Sequence, residues 1–340
     1  MSAVSGWLAV LSVSTVVLFA LNLAFNNDGS RSAILGEDVQ PVGEVSDEFD
    51  STITPRGIAF AIWGLIYFWN AVLMVFALYD AFAPLFRGFR RGRVTSDYHA
   101  EEEAASGLDK HLLTPLFYLS YSLTCVSSAV WIYVWTNEKL GLSVLFLLLM
   151  NVGLWGAIAA VFSHYRSLTG GRKEGFTKFQ RNFSRFDFFG FHAFVVNGLF
   201  IYATWVAVAL LLNLTTWVAF DLKTLSAERM ATVSLVILIC EVALWFTAQN
   251  TFLERYTRYL VIDYLVLFWA VGWSLDKNYK AGATNTIVTI ALLALIGLCF
   301  VVRICLLIGR AIHRRAESTR TQEREEPAKA TATGGSACVV

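Results

Sequence analysis

Apolar residues run along this chain in blocks of about twenty, the length an α-helix needs to cross the hydrocarbon core of a bilayer, and polar residues collect between them. Eight such blocks predict membrane-spanning helices over residues 6–25, 57–82, 115–136, 140–162, 191–218, 232–249, 259–275 and 284–308. Pro55 marks the start of the second, since its missing N–H costs nothing in a first helical turn. Within three of these blocks, aromatic and polar residues recur at helical spacing. At about 100° per residue, Tyr202, Trp205, Ala209, Asn213 and Trp217 share roughly one third of a helix circumference. Phe60, Trp63 and Tyr67 share a face of the second helix, and Trp131 and Trp135 share one of the third. Lipid needs no such stripes, whereas a pocket does. Tryptophans near helix ends also form the interfacial belt, which accounts for Trp7, Trp135, Trp217 and Trp273. Trp63 and Trp205 lie deeper and beside polar partners, which favours a pocket.

Composition agrees with the pattern. Hydrophobic residues make up 56% of the 340 and charged residues only 16%, with a mean hydropathy of +0.56, far from the soluble average. The fold class is therefore all-α, a polytopic transmembrane helix bundle, and membrane lipids are its surroundings. The net charge of +1 conceals a sorting by side. The loop before Pro55 carries Asp28, Glu37, Asp38, Glu44, Asp47, Glu48 and Asp50. Basic residues gather instead at Arg87–Lys110, Arg166–Arg185 and Arg310–Lys329. The positive-inside rule assigns these three segments, and both termini with them, to the cytosol. Nothing in the charge pattern suggests nucleic acid as a partner.

The first block resembles the end of a signal peptide at Asn26, Asn27 and Asp28, but no Lys or Arg precedes it and its apolar run exceeds a typical h-region. A retained helix is expected; its removal would leave a seven-helix, receptor-like protein. The segment 165–189 interleaves basic residues with Phe176, Phe179, Phe183, Phe186, Phe188 and Phe189, a composition suited to an anionic leaflet. The tail from Ala316 is charged and then rich in small residues, which predicts disorder, and it ends in Cys338 followed by two valines.

Candidate chemistry is sparse. Intramembrane ionisable groups are functional candidates by default, and Glu241, Asp263 and Arg303 occur in the last three spans. Asp263 and Arg303 fall at similar depth and are expected to pair, while Glu241 is deeper and has no evident partner. A proton-coupled transporter working through Glu241 is the alternative function this suggests. His164 and His192 are isolated, no metal-ligand spacing occurs, and no catalytic residue set is recognisable. Gly153, Gly156, Ala157 and Ala160 allow close helix approach, within the bundle or across a homodimer. Residues 253–258 fit a permissive cholesterol motif.

At its tryptophan-centred motifs the chain resembles the TspO/MBR family of tryptophan-rich sensory proteins and translocator proteins. Pro55, Gly57, Phe60, Trp63 and Tyr67 match the family's second helix, and Trp131 its third, with Ser128 where an Asn is usual. Tyr202, Trp205, Ala209, Leu212, Asn213 and Trp217 match the fifth, with Ile201 in place of a Pro. The resemblance covers the first five spans. It implies a TspO-like five-helix core over residues 1–218, followed by three additional transmembrane helices over 219–309 and a cytosolic tail over 310–340. The resemblance further implies a multi-pass binding or sensory protein for a tetrapyrrole, a sterol or a similar apolar ligand. Phe60, Trp63, Tyr67, Trp131, Tyr202, Trp205, Ala209 and Asn213 are then the ligand-binding residues. No cofactor is required; porphyrin or haem enters as ligand, and any catalysis is light-dependent breakdown of protoporphyrin.

Overall fold

The computed structural model describes residues 3–35, 40–91, 111–169 and 185–334, and the regular structure in them is helical. Eight long helices follow one another: α1 (Ala3–Asn26), α2 (Ile62–Arg91), α3 (Pro115–Thr136), α4 (Leu140–Thr169), α5 (Asn197–Thr216), α6 (Ala227–Asn250), α7 (Ile262–Asn278) and α8 (Thr284–Gly334). Two short helices, Asp28–Leu35 and Val42–Glu48, and a 3₁₀ turn, Gly57–Ala61, lie between α1 and α2. π-helical turns at Phe191–Val196 and Trp217–Asp221 flank α5. The loop residues from Arg93 to Lys110 and from Arg172 to Arg181, the side chains of Phe176, Phe179 and Phe183, and Cys338 lie outside the described residues.

Local chemistry sets the helix boundaries. Thr114 caps α3 through its hydroxyl, which accepts the Phe117 N–H at 3.4 Å, and Pro115 occupies the first turn, where its absent N–H leaves nothing unsatisfied. Ser226 caps α6 in the same way, accepting from the Arg229 N–H. Asp80, buried near the end of the second span, accepts the backbone N–H groups of Leu112 and Leu113 at 2.9 Å and so ties the approach to α3 back to α2.

Seven of the described helical stretches are long and apolar enough to cross a membrane. The seventh predicted span, 259–275, becomes the 17-residue α7, at the short end of the spanning range. The cause is local: a turn in which the Leu260 N–H donates to the Thr257 carbonyl occupies residues that the hydropathy pattern assigned to the span.

The chain divides into two compact units, Met1–Ile296 and Gly297–Val340. The second is the remainder of α8, apolar as far as Ile312 and then charged; its helix continues to Gly334, into the segment whose composition suggests disorder. The first unit is a bundle. α1 presents Leu8, Ser12, Thr15, Phe19 and Asn22, a buried stripe at intervals of three and four, and packs on α2 and α3. The Thr15 hydroxyl lies 3.0 Å from that of Ser122 and donates to the Leu11 carbonyl at 2.8 Å. α3 and α4 approach closely. A Cβ on Gly153 would stand 2.5 Å from Thr124 Oγ1 and 2.8 Å from the Ser120 carbonyl oxygen, and one on Gly156 would stand 2.8 Å from Ser120 Oγ. These small residues therefore serve approach inside the bundle.

Candidate ligand-binding site

Helical periodicity aims one face each of α2, α3 and α5, together with the 3₁₀ turn before α2, at a common point. Trp63 stands at its centre. Its ring stacks on Tyr67 at 5.5 Å, approaches Trp131 at 5.8 Å, and meets Tyr202 at 5.9 Å and Trp205 at 6.2 Å edge-on. Phe60 meets Trp205 edge-on at 6.1 Å, and Trp131 stacks on Trp135 at 6.5 Å. Edge-to-face and offset contacts at these separations are the favoured geometries of aromatic pairs.

These rings enclose a cavity of about 20 Å³ lined by Phe60, Trp63, Trp131, Trp135, Trp205, Ala209, Leu212 and Asn213. That is room for about one water molecule. Of the eight residues expected to bind ligand, six line this cavity. Tyr67 and Tyr202 pack against Trp63 instead.

Two polar groups belong to the cage. Asn213, buried on α5, accepts through its side-chain oxygen from Ser143 Oγ at 2.6 Å and from Trp131 Nε1 at 3.3 Å, and its amide donates to the Ala209 carbonyl at 3.0 Å. It thereby joins α3, α4 and α5, the interhelical role that mid-helix amides commonly have. Trp205 is 1% exposed, and its indole N–H has no hydrogen-bond acceptor among the described residues. A second void, of about 30 Å³, lies on its other side against α6 and α7. Buried polar groups are almost always paired, so this N–H stands out in the cage wall, as do the Tyr67 and Tyr202 hydroxyls behind Trp63. Among the described residues no three histidine, cysteine, aspartate or glutamate side chains converge. What the cage offers a ligand is ring faces, one amide, the Trp205 N–H and, beside Trp63, the buried hydroxyls of Tyr67 and Tyr202.

A cover closes one end. Val42, Ser46 and Thr54, from the connection between α1 and α2, complete the cavity wall, and the Val42 carbonyl accepts from Trp135 Nε1 at 3.3 Å. The cover is fastened to the middle and far end of α7. Ser274 Oγ donates to the Ile53 carbonyl at 2.9 Å, Asn278 Nδ2 to that of Thr54 at 2.8 Å, and Trp269 Nε1 to that of Ala59 at 2.9 Å. Lys277 Nζ sits 2.6 Å from Asp47 and 3.0 Å from Asp50, and Arg56 pairs with Asp276. Burial opposes the Lys277 charge, but the hydrogen bonds to Asp47 and Asp50 outweigh it and hold its pKa above the ordinary 10.5.

Trp135, which shares a face with Trp131 and whose place near a helix end also fits the interfacial belt, is 4% exposed and part of the cage wall. Ser143 and the cover residues carry no local signature. Glu241 and Asp263 lie apart from the cage, on α6 and α7, and line a separate groove. Arg303 lies on α8 in the second unit. The tyrosine of the cholesterol-like segment, Tyr256, is buried and stacks on Phe162 at 4.9 Å, so it serves packing.

No curated protein and no solved structure matches the chain at a significant level. A family model described as TSPO-like protein matches residues 7–305. The match continues past the five spans that hold the tryptophan motifs, through α6, α7 and the first part of α8. With most of its length covered and its paired tryptophan motifs converging on one cage, the chain is a multi-pass membrane protein that belongs to the TSPO-like protein family.

Proposed function

We propose that the protein is a TspO-type binding or sensory protein that takes a flat apolar ligand, a tetrapyrrole or a sterol, among the rings of the aromatic cage. The observation that carries this reading is the buried Trp205 N–H, which has no acceptor among the described residues and belongs to a ring that lines the cavity with four other aromatic side chains. Sites for such ligands are built of apolar walls with a few polar groups that fix orientation, and a ligand oxygen or carboxylate would supply the missing acceptor. At about 20 Å³ the cavity is closed to a molecule of that size, so entry requires the cover over residues 42–54 to lift. In this reading the protein sits with both termini in the cytosol and acts by binding; photochemical breakdown of a bound porphyrin would be a secondary activity.

Tryptophan-fluorescence titration of the purified wild type, Trp63→Phe and Trp205→Phe with protoporphyrin, haemin and cholesterol tests the assignment. Saturable quenching by one of the three, weakened in both variants, is the expected result. Quenching that is equal in all three proteins for every ligand would overturn it.

A further inference from the structure

The face of α5 opposite the cage borders a second and much larger space. Phe200, Ala203, Thr204 and Ala207 recur on that face at intervals of three, one and three, and together with α4, α6 and α7 they line a groove of about 390 Å³. This volume falls within the range of small-molecule sites, ~300–1,000 Å³. The aromatic cage is smaller by more than an order of magnitude.

The groove has a defined chemistry. One wall is aromatic: Phe200 stacks on Trp245 at 4.9 Å, and Trp155 meets Trp245 at 5.7 Å and Phe200 at 5.9 Å. Trp245 is fixed in place because its indole N–H donates to Asp263 Oδ2 at 2.6 Å, and Gln249 Nε2 donates to the same oxygen at 3.3 Å. One turn before Trp245 on α6 stands Glu241. It lies in the groove, exposed on the surface of a membrane-spanning helix, and makes no hydrogen bond or ion pair among the described residues. The groove lining contains no lysine or arginine among those residues. A carboxylate in an apolar span is expensive to leave without a counter-charge, and indole faces attract cations. Small residues on α5, Ala203 and Ala207, leave the room between them.

We propose that this groove is a second binding site, which takes an amphipathic organic cation with its ammonium group against Glu241 and its apolar body along the rings of Trp155, Phe200 and Trp245. The depth of Glu241 decides between a free amine and a lipid headgroup. It lies nine residues before the end of α6 at Asn250, roughly 14 Å along the helix axis and near the middle of a core about 30 Å thick. A choline headgroup stays at the membrane surface, so the occupant is a free amine that partitions into the bilayer.

The full chain in phosphatidylcholine nanodiscs, titrated with radiolabelled dodecyltrimethylammonium and, separately, with radiolabelled dodecanol, provides the test. The expected result is saturable binding of the cation at least about tenfold tighter than of the alcohol, a factor equivalent to 1.4 kcal/mol. Glu241→Gln removes that preference. Ala207→Phe, which fills the groove and leaves the carboxylate in place, weakens both ligands and gives a reading independent of Glu241. Trp63→Phe and Trp205→Phe bind the cation as wild type does, which separates this site from the aromatic cage. Equal binding of cation and alcohol, or a preference that survives in Glu241→Gln, would reduce the groove to an acyl-chain cleft and overturn the proposal. Displacement of the cation by short-chain phosphatidylcholine at equal potency would likewise overturn it, in favour of a headgroup site.

Discussion

The two faces of α5 are built in opposite ways. On one, Tyr202, Trp205, Ala209 and Asn213 close onto the tryptophans of α2 and α3 and leave about 20 Å³; on the other, Ala203 and Ala207 stand back from Trp155 and Trp245 and leave about 390 Å³. The first face is packed like a protein interior and carries an unmatched donor. The second is open and carries Glu241, which has no hydrogen bond or ion pair among the described residues. Aromatic residues alone therefore do not make a cavity in a membrane bundle: rings that meet other rings fill space, and rings that face alanine leave it.

The largest effect that separates the two regions is on stability. Trp63→Ala removes the ring that four others contact and is expected to cost ~3–5 kcal/mol. Trp155→Ala, at a residue 43% exposed on the groove side, is expected to cost less than ~1 kcal/mol. Thermal unfolding of both variants in one detergent checks this, and equal losses would break the contrast. Next in size is Asn213→Leu, which leaves Ser143 and the Trp131 indole N–H without their common acceptor. A loss of ~1–3 kcal/mol is expected, with a shift in tryptophan emission as the hydrogen bond to Trp131 disappears.

Lys277→Met tests the cover. Its partners Asp47 and Asp50 are half-exposed or more, so solvent screening limits the cost to ~0–1 kcal/mol, and faster ligand entry to the cage is the clearer readout in stopped-flow quenching. Because the folded state raises the Lys277 pKa, its stabilising contribution is complete below pH 10.5 and is lost as pH rises through the raised value. The wild type should therefore show faster entry in that alkaline window, and the variant should lack the change. The smallest expected effect is none: Ala207→Phe should leave quenching by protoporphyrin unaltered, since the residue faces away from the cage. A changed affinity there would mean that the two faces of α5 are not independent.

Much of this organisation is legible in the sequence. Period and length give the helices, and the intervals between Trp63 and Tyr67 and between Trp205 and Asn213 place their side chains on common faces, because a helix converts spacing into direction. The glycines of α4 announce a close approach, and Glu241 declares itself by being charged in an apolar run. What stays hidden is long-range. Nothing near Ile53, Thr54 or Ala59 foretells that their carbonyls meet Ser274, Asn278 and Trp269, more than two hundred residues later. The groove is hidden for a related reason. The spacing of four between Glu241 and Trp245 puts them on one side of α6, but the space beside them depends on how α4, α5 and α7 are arranged around it. Trp135 shows the limit of position as a guide, since a ring at a helix end can face either the interface or a loop folded over it.

The short α7 gives these separate regions a mechanical relation. Its first turn carries Asp263, which anchors the groove wall through Trp245, its middle carries Trp269, and its last turns carry Ser274, Lys277 and Asn278, which with Trp269 hold the cover of the cage. A single helical strut of 17 residues, about 25 Å long, thus has one end in each region. Any occupant of the groove that favours one setting of this strut must be felt at the cover by the same free energy with which a cage ligand is felt in the groove, because linkage between two binding sites is reciprocal.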